Sequence, residues 1–324
     1  VLIPSLIADD HNVKCLDRFF FGDEFLLSEQ FKENLELIRD DIRWFEPKIL
    51  QNIDVVIDLA ALSNDPVGEL NPEKTYEINH KGRARVAKLS KEAGVPRYIL
   101  ASSASIFGQV EGVADEDSKV FPLTAYSKAN RKAEVDNLAL NNEEFTVTAL
   151  RFSSLFGVSP RMRFDMAVNE MVLDLYKTKK IIVRGKNNQR PFLHLNDAVN
   201  AYKLVMNAPE KKIAGEIFNV GTDDQNFKIG KLAEEVAKSI NSEHTLELGD
   251  NKDHRSYFTS FKKIQNTLSF SPKFDVAFGA KEIFTALENH EISDSLDTFT
   301  LKWYNHIISD KHLTEKFSID GKLL

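Results

Sequence analysis

Asp54-Val55-Val56-Ile57-Asp58-Leu59-Ala60-Ala61 is a nearly continuous apolar run. A strand of that kind is buried on both faces, which requires a sheet covered by helices above and below. The chain that follows keeps to this plan. Pro72 to Ala93 reads as a long helix stopped by Gly94, with Pro96 beyond it. Arg97 to Ala101 is the next buried strand, Tyr126 to Leu140 the next helix, and Thr146 to Arg151 a further strand. Strands alternating with helices of roughly 15–20 residues imply right-handed crossovers, so the fold class is α/β with a doubly wound parallel sheet. Upstream, Val1 to Ile7 reads as the later part of a helix, and Val13–Asp17 and Leu35–Ile42 as two more strands. The alternation loosens after Pro160. The expected division is 1–158 with 192–221 as the sheet domain, and 159–191 with 222–324 as a smaller, mainly helical lobe.

Composition removes several functions. Forty-nine acids against 42 bases leave a net charge of −7, which argues against nucleic acid as the main partner. No apolar run approaches the ~20 residues that span a bilayer. The single cysteine, Cys15, has no partner for an internal disulfide, which points to a reducing, cytoplasmic setting. The eight histidines lack ligand spacing, so no metal is expected, and no Gly-x-Ser-x-Gly elbow suggests a hydrolase.

In an open parallel sheet, ligands bind beyond the carboxyl ends of the strands. Asp17 ends one strand, where a carboxylate can accept from ribose hydroxyls or stand as a solvated turn residue. Asp41-Ile42 ends the next and is a candidate for the adenine edge, or again a turn. The strongest signal is a pair of segments. Ala101-Ser102-Ser103-Ala104-Ser105-Ile106-Phe107-Gly108 places hydroxyls at the mouth of a buried strand, and Thr124-Ala125-Tyr126-Ser127-Lys128 opens a helix with a tyrosine. With Asn79-His80-Lys81-Gly82, Arg151 to Gly157, Arg190 to Asp197, Gly215 to Gly221 and Asp253-His254-Arg255, the chain resembles the extended short-chain dehydrogenase/reductases. More narrowly it resembles the NAD-dependent nucleotide-sugar epimerase/dehydratase family, in particular UDP-hexose 4-epimerases.

The resemblance implies a Rossmann-like NAD domain and hydride chemistry at a sugar carbon. Tyr126 would exchange the hydroxyl proton, and Ser103 would hydrogen-bond the same oxygen. Asp17, Asp41, Ile42, Ala60, Ala61, Asn79, Ala101, Tyr126 and Asn130 would form the cofactor groove, with Asn79 lying beneath it. Ser103, Ser154, Arg161, Arg190 and Arg255 would face the nucleotide-diphosphate sugar, the arginines through charge-assisted contacts or else as surface ion pairs. Family members commonly dimerise through the helices on either side of this site, where Tyr76, Val86, Leu89 and Leu138 stand here, so a homodimer is expected. His194 reads as a satisfied core histidine.

Two departures qualify this picture. The family's tyrosine is normally followed four residues later by a lysine, and here that position is Asn130. A free tyrosine titrates near ~10, and a nearby ammonium favours the phenolate. On the same helix, Lys128 lies ~200°, Lys132 ~240° and Arg131 ~140° around from Tyr126, so none shares its face. A raised tyrosine pKa and an alkaline optimum follow, and Asn130→Lys is expected to raise turnover near neutral pH. The second departure is the absence of the family's opening strand and G-x-x-G-x-x-G turn. The missing strand would lie between those at Val13 and Asp54. Leaving its neighbours' backbone groups unpaired costs ~1–3 kcal/mol each, so ~20–25 further residues are expected ahead of Val1.

The dehydratases' acid pair is replaced here by Ala104-Ser105, which favours epimerisation or 4-keto-sugar reduction over loss of water. Ser154 stands where the family commonly has asparagine. Asn130 and the missing turn also motivate a rival role, a catalytically weak NAD-binding sensor or scaffold.

Overall fold

The computed structural model describes residues 1–240, 245–249 and 255–324. Asp253 and His254 lie outside the described residues. In chain order the strands are β1 (Val13–Asp17), β2 (Leu35–Arg39), β3 (Val55–Asp58), β4 (Arg97–Ser103), β5 (Gln109–Ala114), β6 (Thr146–Phe152) and β7 (Ser154–Phe156). They continue with β8 (Lys180–Arg184), β9 (Gln189–His194), β10 (Ile217–Val220), β11 (Asn226–Lys228), β12 (Thr245–Gly249) and β13 (Ser256–Thr259).

The centre is a four-stranded parallel sheet in the order β10-β6-β4-β3. Alternation along β4 assigns its two faces. Tyr98 and Leu100 join Val147, Ala149, Val86 and Ala133 on one side, while Ile99 joins Leu150, Ala201 and Val205 on the other. Helices therefore cover both faces: α4 (Arg83–Glu92) and α5 (Ala125–Leu138) below, and α7 (Leu195–Asn207) above. This is the doubly wound arrangement that the apolar runs require.

Three expectations need correction. The second strand stops at Arg39, because the amides of Trp44 and Phe45 turn back onto the Asp41 carbonyl. The helix expected over Pro72–Ala93 is divided into α3 (Pro72–Tyr76), a wider π turn at Glu77–Gly82, and α4. That turn brings Asn79 and Gly82 inward. Gly82 meets Ile42 so closely that a Cβ there would lie 2.8 Å from Ile42 Cδ1. The third concerns β3, which pairs only with β4, and β1, which pairs only with β2. Val55, Val56 and Ile57 are partly buried, and Leu59 keeps 50% of its surface exposed. Leu16 of β1 nonetheless packs on the same apolar cluster as Val56 and Ala60. The two sheets thus adjoin without a hydrogen-bonded strand between them among the described residues.

The C-terminal part is built around α6 (Ala167–Thr178), α8 (Ile229–Ile240) and the helix Val276–Glu288. Phe156, Phe164, Val172, Ile181, Leu232, Val236 and Ile283 form its core. It carries short strands as well as helices: β12 pairs with β8, and β11 and β7 flank β9. β13 reaches back to β5 and brings Arg255 toward the sheet's carboxyl edge. Among the described residues no helix is long and apolar enough to cross a membrane.

Candidate active site

Two local motifs set the site. β4 ends at Ser103, whose hydroxyl accepts from the Ser105 amide at 3.2 Å and starts a tight turn over Ala104–Phe107. Thr124 caps α5 by accepting from the Ser127 amide, and the Ser127 hydroxyl in turn accepts from the Thr124 amide. The Ala125 amide donates to the Glu69 carboxylate at 2.6 Å. The first turn of α5 is therefore held from both sides, and Tyr126 sits on it.

Tyr126 is enclosed by its neighbours yet keeps some accessible surface. Burial pushes its phenol up, and the Asp65 carboxylate adds to this. Ser103, Arg83 and Asn130 pull the other way by favouring the phenolate, and the net direction is up. The direction agrees with the expectation from sequence, but its largest cause is burial, and a cation is present after all.

That cation is Arg83, which the sequence reading overlooked. It is 1% exposed. Its Nη1 donates to Asn130 Oδ1 at 2.9 Å, Nη2 to the Asp58 carbonyl at 2.9 Å and to the Ala101 carbonyl, and Nε meets Asp58 Oδ1 at 3.3 Å. Ala101, expected along the cofactor groove, thus uses its carbonyl to hold this guanidinium.

Gly68 backs the tyrosine. A Cβ at Gly68 would lie 2.8 Å from Tyr126 Cβ and 3.1 Å from its amide nitrogen. Gly68→Ala must therefore displace the start of α5. Since misplacing a reacting group by ~1 Å can cost about 10²-fold, kcat is expected to fall by up to that factor. Unchanged steady-state kinetics in this variant would show that the helix start tolerates the shift.

The other candidate residues divide. Asp17 lies exposed at the carboxyl end of β1, one carboxylate oxygen accepting from the Phe19 amide at 2.6 Å. Ala60 and Ala61 follow β3 with partly open surfaces. Asn79 is buried beneath them. Its Oδ1 accepts from the Leu62 amide at 2.8 Å and its Nδ2 donates to the Leu62 carbonyl at 3.0 Å, so it shapes the loop rather than reaching into the groove. Asp41 is likewise committed, to Arg18 at 2.9 Å and Arg43 at 2.8 Å. Burial opposes its charge, but the two arginines outweigh this and lower its pKa. Ile42 is a core residue against Gly82.

Of the residues expected to face the sugar nucleotide, Ser154 opens β7 opposite Phe192. Arg161 donates to the Asp297 carbonyl and Thr300 hydroxyl and stacks 3.6 Å over Phe21. Arg190 holds the Arg255 carbonyl and lies 4.9 Å over the Tyr257 ring, so it positions the segment bearing Arg255. Arg255 pairs with Asp65, which also accepts from the Thr124 hydroxyl. His194 is 1% exposed and bonded to Glu282 at 3.0 Å, as expected of a core histidine. Val86 is buried in the chain's own core, with Leu89 and Leu138 packed against it. Leu89 and Leu138 keep part of their surface open. Among the described residues no group of three His, Cys, Asp or Glu side chains is placed to hold a metal.

Comparison with known proteins gives this arrangement its setting. The chain is 26% identical to a UDP-glucuronate 4-epimerase of Thermodesulfobacterium geofontis over 76% of its own length and 76% of the relative's. It is 24% identical to an uncharacterized UDP-glucose epimerase, YtcB, of Bacillus subtilis, over 73% of its length and 78% of that protein. In fold it matches the UDP-glucuronic acid 4-epimerase of Bacillus cereus, solved with UDP-glucuronic acid and NAD. The TM-score is 0.77 at 21% identity, covering 89% of this chain and 95% of that one. DesIV of Streptomyces venezuelae, a dTDP-glucose 4,6-dehydratase, also gives 0.77 at 21% identity, over 90% and 94% of the two chains. A model of the NAD dependent epimerase/dehydratase family matches residues 1–221. With two-thirds of its length so matched, the chain belongs to the NAD dependent epimerase/dehydratase family.

Proposed function

We propose that this protein epimerises the sugar of a nucleotide diphosphate with bound NAD+, Tyr126 acting as the acid and base. The observation that carries this reading is the meeting of Tyr126, Ser103 and Asn130 at the mouth of β4, with Ala104 and Ser105 after Ser103 where a dehydratase of this family carries acids.

The residues suit the two ends of the dinucleotide. Asp17, exposed at the end of β1, would accept from the adenosine ribose, and Ala60 and Ala61 would leave room for close backbone approach. At the other end, Asn130 Nδ2 is a buried donor that makes no hydrogen bond of ordinary length, and a ribose hydroxyl would satisfy it. These residues include no Gly-rich turn for the pyrophosphate. When bound, NAD+ accepts the hydride from the sugar carbon. Tyr126 takes the proton from the hydroxyl on that carbon, while the Ser103 hydroxyl hydrogen-bonds the same oxygen. Once the sugar has turned, Tyr126 would return the proton to the oxygen as the same hydride comes back to the opposite face of the carbon, which restores NAD+ and completes the cycle. Arg255, which pairs with Asp65 and whose carbonyl is held by Arg190, would meet the diphosphate. Residues 1–158 and 192–221 would hold the cofactor, and 159–191 and 222–324 the sugar nucleotide.

The test is incubation with NAD+ and each of UDP-, GDP- and dTDP-hexoses, with products followed by NMR. An equilibrium mixture of epimers without net NAD+ consumption is expected. Accumulation of a dehydrated 4-keto sugar would make it a dehydratase, and stoichiometric oxidation of NADH by a 4-keto sugar would make it a reductase. NAD+ binding without turnover of any sugar would favour the sensor.

A further inference from the structure

The cation of this site stands on a different helix from the tyrosine. Arg83, the first residue of α4, reaches α5 and meets Asn130 one turn beyond Tyr126. A guanidinium only donates, so its 2.9 Å bond fixes the Asn130 amide with Oδ1 toward Arg83 and Nδ2 away from it. Nδ2, on a residue 1% exposed, then makes no hydrogen bond of ordinary length and acts on the Tyr126 phenol only from beyond that range. Leaving such a group unsatisfied costs ~1–3 kcal/mol, a penalty that a bound oxygen removes.

We propose that Arg83 and Asn130 together replace the lysine expected on the tyrosine's helix, with Arg83 as the positioning residue that supplies the charge and Asn130 as the donor to the phenolate and the nicotinamide ribose. The proposal rests on the reading of Tyr126 as proton carrier. Asp58 meets the Nε edge of Arg83 and receives the Tyr98 hydroxyl on its other oxygen, so the Nη1 edge is directed at α5. The other groups around Tyr126 are Asp65 on the loop side, Ser103 on β4, Tyr202 on α7 and Tyr257 on β13. Glu69 holds the helix start, and Arg255 is occupied by Asp65. Asp65 opposes ionisation of the phenol, and Arg83 is the buried cation that favours it.

This reverses one expectation. A lysine at position 130 would set an ammonium against the buried guanidinium. Asn130→Lys alone is therefore expected to lose stability, and the lysine to be tolerated only once Arg83 is neutral.

The test reads Tyr126 ionisation by pH-jump absorbance, as the difference from Tyr126→Phe and before unfolding, together with NAD+ affinity by titration. Arg83→Gln is expected to raise the ionisation midpoint by about one pH unit and to weaken NAD+ about tenfold. Asn130→Leu, which leaves the guanidinium in place, should shift both in the same directions. Adding Asn130→Lys to Arg83→Gln should bring the midpoint back to the wild-type value or below. Should Arg83→Gln fail to fold, Asn130→Leu and the Arg83→Gln/Asn130→Lys pair decide the matter. An unmoved midpoint in any folded variant lacking one partner overturns the proposal. Neither readout needs sugar turnover. Shifted midpoints in a protein that converts no sugar nucleotide would leave the Arg83–Asn130 pair standing and overturn the epimerase reading instead.

Discussion

Tyr126→Phe is expected to lower kcat by about 10²–10⁴-fold, the usual contribution of a positioned acid or base. The ring remains, so the packing at the start of α5 is kept and NAD+ affinity should change little. The pH profile separates this loss from a structural one. Proton abstraction needs the phenolate, and burial together with Asp65 holds the phenol above its ordinary value. In the wild type, kcat/KM should therefore climb as pH rises, by up to tenfold per unit, and level off only on the alkaline side. In Tyr126→Phe that limb should vanish, leaving a low, flat rate. A variant retaining a tenth of wild-type turnover with the same alkaline limb would assign proton transfer to another group.

How far the sequence alone led can be judged residue by residue. The cores of β4 and β6 were legible because each is a local pattern, an apolar run. The Tyr126–Ser103 meeting was implied by the family resemblance; the rule that ligands gather at the carboxyl ends of parallel strands pointed only to the strand mouths. Arg83 was not legible. A charged residue in a helix normally reads as solvated, and its partners Asp58 and Asn130 lie 25 and 47 residues away. Only the packing of α4 beside α5 brings them together. The Arg255–Asp65 pair spans 190 residues and was hidden for the same reason. Arg161 was read as meeting phosphate or solvent; the contacts of its guanidinium with the Asp297 carbonyl and the Phe21 ring, both remote in sequence, were hidden in the same way.

Breaking the buried pair beneath the site should have the largest effect on stability. Glu134 lies one turn beyond Asn130 on α5 and is fully buried. Its two oxygens accept from Arg151 of β6 at 2.9 and 3.0 Å, and one also accepts from the Ser102 hydroxyl of β4 at 2.6 Å. Arg131 adds a contact at 3.0 Å. This carboxylate ties the helix carrying Tyr126 to the strand carrying Ser103. Glu134→Leu would leave the Arg151 guanidinium buried without its counter-charge, and removing one partner of such a pair costs ~3–5 kcal/mol. Chemical denaturation should show that loss as a large fall in midpoint, with turnover falling too as α5 loosens. Replacing both charges, Glu134→Leu with Arg151→Met, removes the orphaned guanidinium along with the carboxylate, so most of the stability should return. Turnover should recover less than stability, because the Ser102 anchor to α5 remains absent. If the double variant were no more stable than Glu134→Leu, the cost would lie in lost packing and the Ser102 bond rather than in an uncompensated charge.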